Sequence, residues 1–399
     1  MCTPDARSLA LLLPQGLLDA SAVAESAVDP LQWLFLDTET TGLAGGTGTY
    51  PFMVGIAWWD AGGLQVEQLF MRDLDEEHSL LLELSERMSE RPVLVTFNGK
   101  SFDWPLLETR YRMTRTIPAC TPKLHLDLLH PARLLWRPRI GSVRLRDLER
   151  QVLSNESCAL EWSRHDDIDS SLIPQMYFDY LRGGPPEPLA GVFRHNQMDL
   201  RGLAALAGKI LDLCNSGQGF PEAAHHSTHD PIDLYGLSRL MQRRGEPVRA
   251  RELYETALRS GLPRHVERLA QRELAQLAKR EQDYARATSL WEELRQATAS
   301  AKSQESPVAW EDAQNALVAA IEAAEQLAIY YEHRAKQPRR AAELTSYAIA
   351  ELRSALRVGG IATTRACKIE DRLTRRLSRL ERSGATEKAS ESIPAGNGL

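Results

Sequence analysis

The run FLDTETTGL at residues 35–43 sets Asp37 and Glu39 two positions apart. In a strand that spacing projects both carboxylates from one face and turns Thr38 to the other. Two acids at the end of an apolar run are costly unless a cation compensates them, and clustered carboxylate oxygens suit hard divalent ions such as magnesium or manganese. An exposed strand end accounts for an isolated Asp-x-Glu equally well. A further acid stands in VTFNGKSFD, residues 95–103, where Asn98 and a Gly99-Lys100-Ser101 turn precede Asp103. A phosphate-loop reading of Gly-Lys-Ser is excluded, because that motif needs a glycine five residues before Gly99, where this chain has Leu94. Asp103 either N-caps its helix or brings a third carboxylate from a neighbouring element. In HNQMD, residues 195–199, His195 and Asp199 are four apart. On a helix they are separated by about 40°, so both reach one surface, as a salt bridge or as part of a site.

The elements that position these residues alternate. Trp33 to Glu39, Phe52 to Trp59 and Leu64 to Phe70 read as a three-strand meander. Glu76 to Glu90 has helical spacing of Leu80, Leu81, Leu84 and Met88; a buried strand follows at Val93 to Phe97, then a helix from Asp103 to about Arg112 and a strand at Leu124 to Asp127. Further helices are expected at 142–153, 171–182 and 187–214. A meander passing into strand–helix alternation makes an α/β fold, a mixed sheet flanked by helices. Asp127 at its strand end reads as the N-cap of a following helix, and neither it nor His130 is placed in the site. The glycines Gly45, Gly46 and Gly48 after Glu39 suit a hairpin connection or a close approach of substrate backbone.

FLDTETTGL, NGKSFD and HNQMD occur in that order, about 60 and 95 residues apart. They resemble the three exonuclease motifs of the DnaQ-like, or DEDD, superfamily. The flanking TTGLAGGTGTYPF, TFNGKSFDWPLL, HLDLLHPAR and HNQMDLRGLAAL are similar to the YprB-like ribonuclease H-like branch, predicted nucleases often followed by tetratricopeptide repeats. The resemblance covers about residues 30–213. It implies a ribonuclease H-like fold and a 3'-to-5' exonuclease that releases nucleoside monophosphates. It implies two divalent ions, Mg2+ or Mn2+, held by Asp37, Glu39, Asp103 and Asp199. His195 takes the general-base position, although three residues separate it from Asp199, the spacing of the tyrosine subclass, where the histidine subclass has four. Asn98 and Lys100 are the candidate substrate-binding residues. The expected partner is nucleic acid, DNA or RNA, at a single-stranded 3' end. The alternatives are a structure-selective endonuclease using the same site and a non-catalytic scaffold acting through helical repeats.

With 399 residues the chain suggests more than one domain. The expected division is an N-terminal extension over 1–29, a ribonuclease H-like domain over 30–214, a linker over 215–230, a helical-repeat domain over 231–382 and a disordered tail over 383–399. Past residue 231 strand signals vanish. Gly245, Ala250, Tyr254 and Ala257, then Asp283, Tyr284, Ala287 and Trp291, and more weakly Tyr331, Ala341 and Ala348, follow an Ala-x-x-x-aromatic pattern resembling tetratricopeptide repeats. Such an all-α domain offers a surface to a protein partner. The key alanines are about 37 and then 54 residues apart, which calls for an insertion around 297–315.

A net charge of -6 argues against a globally basic nucleic-acid binder, yet residues 101–150 hold ten basic against five acidic side chains. That block, Arg110, Arg112, Arg115, Lys123, Arg133, Arg137, Arg139, Arg144, Arg146 and Arg150, forms either a phosphate-tracking groove or solvated helix faces. The Arg-rich terminal helix carries the same two readings. His225, His226 and His229 suit a metal or a solvated linker. Five scattered cysteines give neither a disulfide framework nor a zinc module. No apolar stretch approaches the roughly 20 residues of a membrane span, so the expected location is the cytoplasm, with no membrane contact.

Overall fold

A computed structural model of the chain describes residues 1–5, 9–12, 29–42, 47–115, 121–154, 164, 167–216, 230–301, 307–357 and 361–391. Contacts divide the chain into two compact units, Met1–Glu246 and Pro247–Leu399.

The first unit is built on five strands, β1 (Trp33–Thr40), β2 (Pro51–Asp60), β3 (Gly63–Phe70), β4 (Val93–Thr96) and β5 (Leu124–Asp127). Their order across the sheet is β3-β2-β1-β4-β5. β1, β2 and β3 are antiparallel, whereas β4 and β5 run parallel to β1. The sheet is therefore mixed, and β1 is its centre. Trp33, Leu34, Phe35 and Leu36 are all buried, as befits a strand covered on both faces. The helices of this unit are α1 (Glu77–Glu90), α2 (Asp103–Thr114), α3 (Leu129–Ile140), α4 (Leu145–Leu148), α5 (Ile173–Leu181), α6 (Glu187–Ser216) and α7 (Pro231–Arg243). Leu34 and Leu36 of β1 share a core with Leu80, Leu81 and Leu84 of α1, Leu107 and Tyr111 of α2, and Tyr177 of α5. Tyr177 stacks on Phe52 with ring centroids 4.0 Å apart.

Two departures from the sequence expectations have clear causes. Helix α3 is implied in the sequence only by the capping reading of Asp127 and has no visible bounds there, because Pro131 and Pro138 lie within LHPARLLWRPRI. Pro131 falls in the first turn, where its missing N–H would have no helical partner, and Gly141, at φ +71°, closes the helix with its N–H on Arg137 O. Helix α7, expected in the helical-repeat domain, belongs to the first unit: Gly236 lies so close to α3 that a Cβ there would stand 2.2 Å from Leu135 O. Arg139 of α3 also bonds Asp233 of α7 at 2.8 Å. The compact units thus divide after Glu246 and not within 215–230; residues 217–229 of that expected linker, with His225, His226 and His229, lie outside the described residues, as do Gly45 and Gly46. Part of the N-terminal extension packs in this unit as well, with Leu9 and Leu12 buried and Asn215 donating to Asp5 O at 3.0 Å.

The second unit is helical: α8 (Pro247–Arg259), α9 (Arg264–Arg280), α10 (Tyr284–Ala301), α11 (Pro307–His333), α12 (Pro338–Arg357) and α13 (Thr363–Glu391). Each helix packs on the next in sequence. Ala250, Ala257, Ala287, Ala341 and Ala348 are fully buried, and Tyr254 and Trp291 are buried as well, so small side chains sit inside the helical packing. α13 runs nine residues beyond the expected end at 382, into the stretch read as disordered. Gly384 costs about 1 kcal/mol relative to alanine, but the surrounding Arg, Glu, Ala and Lys are strong helix formers. Among the described residues, no helix of either unit is long and apolar enough to cross a membrane.

Candidate active site

Asp37 pairs across β1 and β2 with Gly55, and Gly55 pairs across β2 and β3 with Gln68. The three form one row on one face of the sheet, and α6 crosses it. The bare Gly55 makes the crossing possible: a Cβ there would lie 2.0 Å from Asn196 Oδ1. Fully buried Asn196 spans the gap. Its Oδ1 accepts from Gln68 Nε2 at 2.9 Å, which leaves its Nδ2 to donate to Asp37 Oδ2 at 2.9 Å. Gln68 is itself anchored by donating to Phe193 O at 2.8 Å.

Asp103 opens α2 and accepts from Thr38 Oγ1 at 2.5 Å. The turn before it is shaped by Asp127, whose carboxylate accepts from the amides of Asn98 (2.8 Å), Lys100 (3.2 Å) and Leu129 (3.0 Å). Asn98 adopts φ +69°, a left-handed conformation that asparagine tolerates better than most residues. At Gly99 a Cβ would meet Thr96 Cβ at 2.5 Å. Asp127 is thus a clamp on two connections. Asn98 and Lys100 enter the clamp through their backbones, and Lys100 is exposed. Phe102, 60 % exposed, stands beside Asp103.

On α6, His195 Nε2 lies 3.5 Å from Asp199 Oδ2. The pair is not a plain surface salt bridge. Arg164 donates to Asp199 Oδ1 at 2.5 Å and to Glu149 Oε1 and Oε2 at 2.6 and 2.7 Å. Glu149 is 1 % exposed and rests against Gly202 of α6, where a Cβ would be 2.0 Å from Glu149 Oε1. Asp167 lies 2.6 Å from His195 Nδ1 and accepts from Arg146 at 2.8 Å and Arg164 at 3.2 Å.

The acids sense one another. Asp37 is pushed well above the ordinary carboxylate range by burial and then by the charges of Asp199, Glu39 and Asp103, with the Asn196 bond opposing. Burial, Asp199 and Asp103 lift Glu39 to about 8. Asp103 is raised by burial against the Thr38 bond, and burial lifts Glu149 to about 7 in spite of Arg164. Asp167 behaves oppositely. Burial would raise it, but hydrogen bonds from His195, Arg146 and Arg164 hold it at about 2.

Asp37, Glu39, Asp103 and Asp199 therefore fall within one another's electrostatic reach, with oxygen donors that fit hard divalent cations. Each of three is engaged by the protein: Asp37 by Asn196, Asp103 by Thr38 and Asp199 by Arg164. As these side chains stand, no three His, Cys, Asp or Glu residues among those described gather tightly enough to close around an ion. The donor chemistry nonetheless fits such a cation.

Asp167, Arg164, Glu149 and Gln68 were missed by sequence reasoning. They lie far from the motifs along the chain; Gln68 and Glu149 fall within an expected strand and helix, whose period says nothing of a site, and Arg164 and Asp167 follow no period. Asn196, by contrast, was inside a motif and passed over between the two residues that titrate. The basic block of residues 101–150 divides. Arg110 is buried against Glu77 and the Tyr50 ring, while Arg112, Arg139, Arg146 and Arg150 are ion-paired. Arg115, Lys123, Arg133, Arg137 and Arg144 are exposed.

The chain is 28 % identical over 324 residues, covering 79 % of its length and 69 % of the relative's, to the uncharacterized protein YprB of Bacillus subtilis (strain 168). No solved structure matches it. Residues 34–211, the stretch that holds all but the first residue of the sheet and all the candidate site acids, match the model of the RNase H superfamily, a match that suggests a nuclease.

Proposed function

We propose that the first unit is a metal-dependent nuclease that hydrolyses phosphodiester bonds from the 3' end of DNA or RNA and releases nucleoside monophosphates. The observation that carries this reading is the convergence of Asp37, Glu39, Asp103 and Asp199, from three separate stretches of chain, into one mutually interacting set. These four would hold two divalent ions, Mg2+ or Mn2+, which when bound activate a water and stabilise the departing oxygen. The protein's own part is orientation and proton transfer. Gln68 and Asn196 hold Asp37 in place, and His195, beside Asp199, accepts the proton of the attacking water. Exposed Phe102 offers a π-face to a terminal base, and Asn98 and Lys100 lie in the same turn to meet the phosphates. The second unit acts as a tetratricopeptide-like array docking a protein partner, a reading supported by its buried alanines and aromatics. Exposed thiols at Cys2 and Cys367 suit the cytoplasm.

The test is Mn2+-dependent release of mononucleotides from a labelled linear single strand. Release that disappears in Asp37→Ala and Asp199→Ala supports the site; unchanged activity in both removes it. Cutting of a covalently closed circle would transfer the same site to an endonuclease, since a circle has no end to start from.

A further inference from the structure

We propose that Asp167 is the positioning residue of His195: it accepts the Nδ1 proton and so presents Nε2, with its lone pair, toward Asp199. This rests on the nuclease reading above and assigns that reaction a residue outside all three motifs. Asp167 Oδ1 is 2.6 Å from His195 Nδ1, and the two side chains are 7 and 8 % exposed. A carboxylate is an acceptor only, so at this distance the shared proton belongs on Nδ1. In the neutral ring the other nitrogen, Nε2, is then the one without a proton and able to accept one. It faces Ser170 Oγ at 3.3 Å and Asp199 Oδ2 at 3.5 Å.

The carboxylate is itself immobilised. Its second oxygen, Oδ2, accepts from Arg146 and from Arg164, and Arg164 is held by Glu149, which Gly202 admits against α6. The segment that carries Asp167 is fixed a turn later, where Ser171 N donates to Asp169 Oδ1 at 2.9 Å. The ring is thereby aimed from outside its own helix. This matters because His195 stands one residue nearer Asp199 than in the histidine subclass, a change of about 100° around the helix. An external carboxylate sets the ring plane where helical position alone does not.

The experiment uses the full chain in two measurements. In Mn2+-dependent hydrolysis of a labelled single strand, Asp167→Asn lowers kcat on the order of 10²-fold, within the range of a lost general base, and leaves KM unchanged. Added to His195→Ala it lowers kcat no further, because the two act as a unit. An equal loss in both backgrounds overturns the proposal, since that is the behaviour of a purely structural acid. Independently, 15N NMR of histidine-labelled wild-type protein reads the tautomer. A His195 signal protonated at Nδ1, lost in His195→Ala and altered in Asp167→Asn, supports the dyad, and an Nε2-protonated ring in the wild type overturns it even if Asp167→Asn does not fold. A wild-type chain that hydrolyses none of the linear or circular strands sinks the nuclease reading, and the tautomer still decides the dyad.

Discussion

Gly55→Ala places one methyl group at a position with no chemistry of its own. In a strand this change ordinarily stabilises by about 0.4–1 kcal/mol, through the unfolded chain. Here the new Cβ would lie 2.0 Å from Asn196 Oδ1, 2.7 Å from its Cγ and 2.8 Å from its Nδ2. Real contacts of this kind are no shorter than about 3.0 Å, so Asn196 must leave or α6 must retreat by roughly 1 Å. Either movement breaks the Gln68–Asn196 bond and the Asn196–Asp37 bond. A neutral hydrogen bond contributes about 1 kcal/mol and one to a charged group about 1.5–3, so the net loss expected in urea unfolding is roughly 2–3 kcal/mol. A shift of about 1 Å in a positioned group also costs on the order of 10²-fold in rate, to be read as Mn2+-dependent nucleotide release. In the Asn196→Ala background the alanine at 55 has room and causes no further loss. Stability within about 0.5 kcal/mol of wild type, together with unchanged activity, would refute the packing argument.

Two other outcomes are expected of the first unit. His125, 2.8 Å from Thr96 Oγ1, is held at about 4 by burial first and then by Lys100, with Asp127 opposing. The unfolded chain therefore protonates before the folded one. Stability contributed by the neutral ring is intact above about 6.5 and is lost as pH falls toward 4; at about 1.4 kcal/mol per unit this amounts to roughly 3 kcal/mol. His125→Gln should flatten the urea-measured stability profile across that window, and an unaltered profile would count against it. Gly208→Ala, inside α6, meets nothing nearer than Pro4 Cβ at 3.8 Å, so the melting temperature should rise by the equivalent of about 0.5–1 kcal/mol; a fall would mean that α6 is closer to its surroundings than the structure has it.

What was readable in the sequence was local. The five strands came from runs such as WLFLDTE and VLVTF, and the four acids from motifs a few residues long, because strand alternation and short motifs are written in neighbouring residues. The hidden parts depend on distance in space. Nothing near Gly55, Gly202 or Gly236 tells that each admits another element against its backbone. Asp167 and Arg164 have no period to betray them, and Glu149 reads as an ordinary helix-face acid although it is buried under an arginine. The bounds of helix α3 were hidden by its prolines, whose tolerance depends on where the helix starts. Helix α7 looked like the helices that come after it, and only its contact with α3 assigns it to the first unit.

The clamp at Asp127 ties the turn before Asp103 to the last strand of the sheet. The amides of Asn98 and Lys100 find their acceptor only once β5 is paired beside β4, with Thr96 opposite Asp127. During folding, an early β1–β2–β3 meander can present Asp37 and Glu39, but the turn leading to Asp103 lacks its template until that parallel edge has closed. Parallel pairing joins residues distant along the chain and is slow to form. The order of assembly is thus built into the site: the acids of the hairpin come first, and the third waits for the edge of the sheet.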